Sequence, residues 1–465
     1  MAIVAPFRPV RFNPEKIAHL EDVVTPPYDI IDEKNQETFQ ARNPYNMIYL
    51  DISKSPGKGD DSAERYDSAK RYFIKWQEEG VLIKDEVPGI FLYYIDYKLP
   101  SGIRLTRKGL IALVGLSEFS EGTVRPHEET FKTVTADRLR LMDTCQAQFS
   151  QIFSLYADEG ADIIGTLEKG LPEKPLYEVK DADGGRHSLW PVTAPEIIAR
   201  VQQDFRCKAV YIADGHHRYS TALQYRKQMA AKHGGLPADS PYNFVMMYLC
   251  PMEDPGLKVL PTHRLVSLPA DIVAAGLGTM DGLAAKMAGS FELEEICGGA
   301  RENLVAEVLA RMEEALVQGR KKRTMFGLYH PVEDRCFLLT LKDAALENRS
   351  LAGRPPALRD LDVVILSDLV VDQILKMACD RCEQDNLVRY FADPDEALDV
   401  AVKESIADEN VLPLLFLMNN TRVLQVKRVA DENLIMPHKS TYFYPKILTG
   451  LLLNKLEPEE KIVVV

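Results

Sequence analysis

Apolar positions alternate on both sides of a turn in residues 91–115. "FLYYIDY" is followed by "LPSG" and then by "IRLTRKGLIALVGL", a pattern that predicts a β-hairpin. "PLYEVKDADGGRHSLWPV" repeats it, with Asp183-Gly184-Gly185 at the tip of a second hairpin. Between the two, "DRLRLMDTCQAQFSQIFSLY" sets Phe149, Ile152, Phe153 and Tyr156 at i, i+3, i+4 and i+7. That spacing predicts a helix with one buried face, capped by Thr135 and carrying Asp137 in its first turn.

Further along, "KAVYIA" reads as a short strand and "YSTALQYRKQMAAKHGG" as a helix closed by Gly234-Gly235. "DSPYNFVMMYLCPM" is a second buried strand, and residues 270–320 read as mostly helical. "TMFGLY", "CFLLTL" and "LPLLFLM" are strands, "RVLQVKRVADEN" is a helix, and "ENRSLAGRPPALRD" is the clearest linker pattern. Hairpins mixed with strand-turn-helix units predict an α+β architecture, not a doubly wound parallel sheet. Three regions are expected: an N-terminal α/β region 1–115, a central core 116–265, and a C-terminal α/β region 266–465.

Composition narrows the classes. The chain has 465 residues, 46% hydrophobic and 27% charged, which excludes wholesale disorder. A net charge of -13 repels phosphate backbones, so nucleic acid is disfavoured as a partner. No run of about 18 apolar residues and no basic-then-apolar leader is present, which points to a cytoplasmic protein without a membrane span. Of seven cysteines only Cys379 and Cys382 form a C-x-x-C. They lack a second pair or nearby histidine, and Val370, Ile374 and Met377 place them on an amphipathic helix. The oligomeric state is not written in the sequence.

Two familiar nucleotide fingerprints are missing. Gly57-Lys58-Gly59 lacks P-loop spacing, and Gly276, Gly278 and Gly282 miss G-x-G-x-x-G by one residue. The stretch "ADGHHRYSTA" is different. Gly215 permits a sharp turn, and the first turn of the following helix offers backbone N–H groups and the positive end of the helix dipole. His216, His217 and Arg218 add side-chain donors, so the turn reads as a phosphate site. In "SEGTVRPHEETF", Pro126 extends the chain and presents Glu121, Arg125, His127, Glu128 and Glu129, the makings of a general base or a metal ligand. Lys439, Ser440, Thr441 and Lys446 of "MPHKSTYFYPK", His263 and Arg264 of "LPTHR", and Tyr28 and Asp29 of "VVTPPYDI" are further candidates for a pocket built from several loops.

"VYIADGHHRYSTA" resembles the DGHHR motif of the free-serine kinases in the ParB/sulfiredoxin-like superfamily, and "VRPHEE" resembles the loop carrying their catalytic glutamate. That resemblance covers roughly residues 117–225. Over nearly its whole length the chain resembles the family called domain of unknown function 1015, through "VTPPYDII", "NPYN", "RPHEETF", "ADGHHRYSTA", "LPTHR" and "MPHKSTYFYPKILTGL". The kinase resemblance implies a ParB/sulfiredoxin-like nucleotide-binding core. Asp214 would stand near the metal or the acceptor, and Gly215, His216, His217 and Arg218 would hold nucleotide phosphates. Glu128 would take a proton from the substrate hydroxyl, with Glu129 in reserve. Arg125, His127, Lys439, Ser440 and Thr441 would contact substrate.

The activity implied is a magnesium-dependent kinase using ATP or ADP on a small hydroxylated metabolite, with free L-serine as the leading acceptor. The alternatives are a ParB-like nucleotide-binding switch, or a phosphohydrolase using the same pocket. The chain is about twice the length of those kinases or more, which leaves the flanking regions to account for.

Overall fold

The computed structural model describes residues 1–52, 63–99, 101–160, 162–317, 324–407 and 411–464. Gly57-Lys58-Gly59, and Pro100 in the turn of the first hairpin, lie outside the described residues. The architecture is α+β. The chain divides into two compact units, Met1–Lys258 with Phe443–Val465, and Val259–Tyr442. Residues 1–115 and most of 116–265 thus share the first unit.

A nine-stranded sheet organises that unit. Its strands are β1 (Val4–Ala5), β2 (Ile90–Lys98), β3 (Arg104–Gly115), β4 (Val124–Arg125), β5 (Ile152–Tyr156), β6 (Tyr177–Lys180), β7 (Arg186–Val192), β8 (Val210–Asp214) and β9 (Phe244–Pro251). The spatial order is β4-β8-β5-β9-β3-β2-β7-β6, with β1 beside β3. Both expected hairpins form, β2 against β3 and β6 against β7.

One correction falls in the middle of the sheet. The helix read through Tyr156 stops at Cys145: α1 spans Lys132–Cys145, and Gln146 leaves it with φ 49°. Ile152, Phe153 and Tyr156 instead belong to β5, every residue of which is buried. A strand covered on both faces carries apolar residues on both, and such a run also satisfies helical spacing. Thr135 is not the cap either. It sits inside α1, and its hydroxyl donates to the carbonyl of Phe131, the residue before the helix.

β5 lies between β8, which is antiparallel to it, and β9, which is parallel. Leu92, Leu110, Ala112, Ile152, Met247 and Leu249 form part of one buried cluster with Tyr219 and Leu223. Side chains alternate across a strand, so the opposite face carries Phe153 and Tyr248, which are register partners, and Asp214, which pairs with Phe153.

The second unit is built on a six-stranded sheet: β10 (His263–Leu268), β11 (Phe291–Ile296), β12 (Met325–His330), β13 (Arg335–Leu341), β14 (Val388–Phe391) and β15 (Leu412–Leu417). The order is β11-β13-β12-β15-β10-β14, antiparallel throughout. Two sequence readings change here. Residues 270–320 include β11 between their helices. The expected linker folds into two short helices, Arg349–Ala352 and Pro356–Arg359, because Leu351, Ala357 and Leu358 are buried and Asn348 caps the first. Among the described residues no helix is long and apolar enough to cross a membrane.

Candidate functional site

β8 delivers the chain to Gly215, and α2 (His216–His233) begins at the next residue. Gly215 has φ 95°, the left-handed region that other residues reach only at a cost, and a Cβ there would stand 2.7 Å from Arg218 Nε. The positive φ favours glycine there, and any larger residue would also displace the Arg218 guanidinium. Gly215, the residue before α2, offers no side chain to cap it. The helix closes on Gly234 at φ 70°.

The loop after β4 meets this turn. The backbone N–H of His127 donates to His216 Nε2 at 3.3 Å, and His127 Nδ1 donates to the Ile212 carbonyl at 2.8 Å. The two imidazoles are edge-on, 4.6 Å apart, and both are buried. Because His216 Nε2 accepts, its proton sits on Nδ1, which faces Glu128 Oε2 at 3.7 Å. Burial, reinforced by His127, pushes His216 down to about 3. Burial also lowers His127, although Glu128 pulls the other way. Both rings are thus neutral at physiological pH.

His217, one residue on, is half-buried. Its Nε2 accepts the Phe131 N–H at 2.9 Å, and its ring stacks on Phe131 at 5.8 Å. Two successive histidines of α2 thus fasten the two ends of the segment that carries Glu128. Glu128 is half-buried and Glu129 is exposed. Of the paired acids, it is Glu128 that meets His216.

Arg218 turns away from its neighbours. It is buried, with Nη1 donating to the Gln151 carbonyl and Nη2 to Asp214 Oδ2 at 2.7 Å. Asp214 takes a second cation, Lys446 Nζ, on Oδ1 at 2.8 Å. Burial disfavours the Asp214 charge, yet Lys446 and Arg218 together hold its carboxyl well below the usual carboxylate range. Arg218 thus braces Asp214 and the strand end at Gln151. It does not stand beside His216 and His217 as a third donor.

The other expected residues divide. Arg125 lies on β4, with Nε donating to the Gly122 carbonyl and its guanidinium over the Tyr211 ring. Lys439, Ser440 and Thr441 belong to the second unit, as do His263 and Arg264. There Ser440 Oγ donates to the Pro437 carbonyl, His263 Nδ1 accepts the Met418 N–H, and Arg264 donates to the carbonyls of Thr262 and Lys439. Tyr28 is in the first unit, under the Arg138 guanidinium at 4.4 Å.

Two participants carry no local sequence signal. Asp51 accepts from Arg138 at 3.0 Å, and Phe443 packs its ring between those of His127 and Phe153. Lys446 was legible as a cation, although it pairs with Asp214 across 232 positions. Among the described residues, no three His, Cys, Asp or Glu side chains gather as a metal cluster.

Several solved structures match the chain at low similarity. A free serine kinase in complex with AMP is 12% identical, covers 74% of this chain and 92% of its own, and has a TM-score of 0.33. SbnI with C-terminal truncation from Staphylococcus aureus is 8% identical over 76% of this chain and 90% of its own, with a TM-score of 0.35. A conserved hypothetical protein from Pyrococcus furiosus is 12% identical over 77% and 94%, with a TM-score of 0.31. Scores of this size carry no argument about activity. No curated protein matches the chain. The match that does carry weight runs over residues 4–364, and by it the chain belongs to the family described as "Protein of unknown function (DUF1015)".

Proposed function

We propose that this protein is a nucleotide-dependent phosphotransferase that phosphorylates the hydroxyl of a small metabolite, with free L-serine as the leading acceptor and ATP or ADP as donor. The observation that carries the reading is the meeting of Glu128 with His216 at the start of α2, at 3.7 Å. It brings a carboxylate to the first turn of a helix whose N-cap residue is Gly215, so base and anion site fall within one substrate length.

In this reading the first-turn N–H groups of α2 and His217 bind the phosphates. Glu128 accepts the proton of the acceptor hydroxyl while its oxygen bonds to the terminal phosphorus, and the nucleotide leaves with the electron pair of the broken P–O bond. Neutral His216, with its Nδ1 proton toward Glu128, orients that carboxylate without cancelling its charge. Asp214 is fixed as an anion by Lys446 and Arg218. Magnesium commonly reaches such sites with the nucleotide, using one or two protein carboxylates. Glu128 would be the acid to hold it, since both Asp214 oxygens are engaged by Arg218 and Lys446. The ion would neutralise charge on the phosphates.

Glu128→Gln tests this. It keeps size and hydrogen-bonding capacity but removes the base. Incubation with ATP or ADP and a panel of amino acids should show turnover reduced about 10²–10⁴-fold, with nucleotide affinity retained. Unchanged turnover in Glu128→Gln refutes the assignment. Nucleotide binding with no phosphorylated product from any acceptor favours the switch instead.

A further inference from the structure

On the sheet face that carries Asp214, a row of rings leads away from the candidate site. His187 of β7, Tyr93 of β2, Tyr248 of β9 and Phe153 of β5 follow one another at 5.8, 5.4 and 5.2 Å between centroids. Gly109 of β3, the register partner of Tyr93, makes room for the row, since a Cβ there would stand 2.5 Å from the Tyr248 ring.

A chain of hydrogen bonds starts from the same two residues. Tyr93 and His187 are buried, with the Tyr93 hydroxyl 2.6 Å from His187 Nδ1 and His187 Nε2 2.9 Å from Asp181 Oδ2. Burial opposes the Asp181 charge, but His187 and the N–H groups of Gly185 and Asp183 hold its carboxyl below the usual range. An anionic Asp181 accepts from Nε2–H, so Nδ1 is the acceptor and Tyr93 donates to it. The Tyr93 oxygen in turn accepts from the backbone N–H of Leu448, and the Leu448 carbonyl accepts from Gln151 Nε2 at 2.8 Å. The carbonyl of Gln151 accepts from Arg218. Leu448 also lies two residues after Lys446. Both cations that hold Asp214 are therefore tied to this chain.

Apolar side chains at positions 93 and 187 would fill the space without burying polar groups. A satisfied buried network does something more, because it selects one arrangement of its members. Here the members include the segment that delivers Lys446, and Asp214 immediately precedes Gly215 and α2.

We propose that Tyr93 and His187 are positioning residues for the Lys446–Asp214–Arg218 cluster. The Tyr93 hydroxyl, aimed by His187 and Asp181, sets the Leu448 segment so that the cluster holds the start of α2 in its binding arrangement. On the phosphotransfer reading, on which this proposal rests, ADP affinity reports that arrangement.

The test is calorimetric titration of the full chain with ADP, together with hydrogen exchange on a peptide spanning residues 443–452. Tyr93→Phe removes one hydroxyl, and His187→Leu removes the acceptor that aims it. Each should weaken ADP about threefold to tenfold, the worth of one neutral hydrogen bond, and speed exchange in that peptide with little change across residues 325–341. The double variant should bind no more weakly than the weaker single one, because both act through one bond. His187→Asn, whose amide oxygen can replace Nδ1 as acceptor, should recover most of the affinity and the parent exchange. Tyr93→Phe decides alone if circular dichroism finds His187→Leu unfolded. Additive losses in the double variant, or no recovery in His187→Asn, overturn the proposal. The two readings fail separately. Tight ADP binding that Tyr93→Phe leaves unchanged removes the positioning role and keeps the nucleotide site. A parent that binds no ADP removes the nucleotide site, and exchange at 443–452 then decides the positioning role: faster in Tyr93→Phe upholds it, unchanged overturns it.

Discussion

The two units use similar materials, a largely antiparallel sheet with helices, and treat buried polarity differently. In the second unit the buried cluster around Leu265, Val308, Leu398 and Leu415 is apolar, and many ion pairs are peripheral, as where Arg335 meets Glu295 and Asp281. Its buried ionisable groups are answered by uncharged partners: Asp362 accepts from Thr324 and Asn419, and Arg264 donates to backbone carbonyls. The first unit joins charges from distant segments, Asp214 with Lys446 and Asp51 with Arg138. It also holds most of the buried polar atoms without a partner among the described residues. Asp51 Oδ2, Arg218 Nε and all three nitrogens of Arg107 are there, against Thr262 Oγ1 and Arg359 Nε in the second unit. Arg107 lies over the rings of Phe153 and Tyr248. Folding alone does not reward unmet buried groups.

The largest effect should come from breaking the hub. Asp214→Ala leaves Arg218 and Lys446 in place without their shared anion, which costs about 3–5 kcal/mol by analogy with other broken buried pairs. Denaturant unfolding reads the loss directly, and a variant as stable as the parent would dissolve the contrast between the units.

A smaller effect concerns pH. His216 is held at about 3 against an ordinary 6.5, first by burial and then by His127. Between those values the unfolded chain carries a proton that the folded chain lacks, so this contribution is complete above about 6.5 and is lost as pH falls toward 3. The denaturation midpoint should therefore drop between pH 7.5 and pH 5, and drop less in His216→Gln. Equal slopes would mean that the ring is not buried neutral.

The smallest effect belongs to the second unit. Arg335→Gln removes a surface network with Glu295, Asp281 and Glu333 and should leave the midpoint unchanged. A large shift there would erase the difference between the units.

Legibility from sequence followed the range of the interactions. The turn from Val210 to His233 was readable because its causes are local: an apolar run, a glycine that must take φ 95°, and a glycine stop. The hairpins were readable for the same reason. Residues 152–156 were not, since a strand buried on both faces places apolar residues at helical spacing as readily as at alternate positions. At the site, chemistry at the turn was visible but direction was not. Arg218 looked like a third phosphate donor beside His216 and His217, and only its partners Gln151 and Asp214 reveal that it faces inward. Asp51 was invisible, because its meaning depends on Arg138, 87 positions away. Lys446 sits five residues after Thr441, yet the two belong to different units.

The central claim is that the start of α2, together with the segment carrying Glu128, is the nucleotide site. Hydrogen exchange with and without ADP tests it most directly, read on peptides spanning residues 125–131 and 213–222. Because His216 and His217 fasten those two segments together, ADP should slow exchange in both, with little change across residues 325–341. Protection confined to the second unit, or no change in either peptide at saturating ADP, would contradict the account.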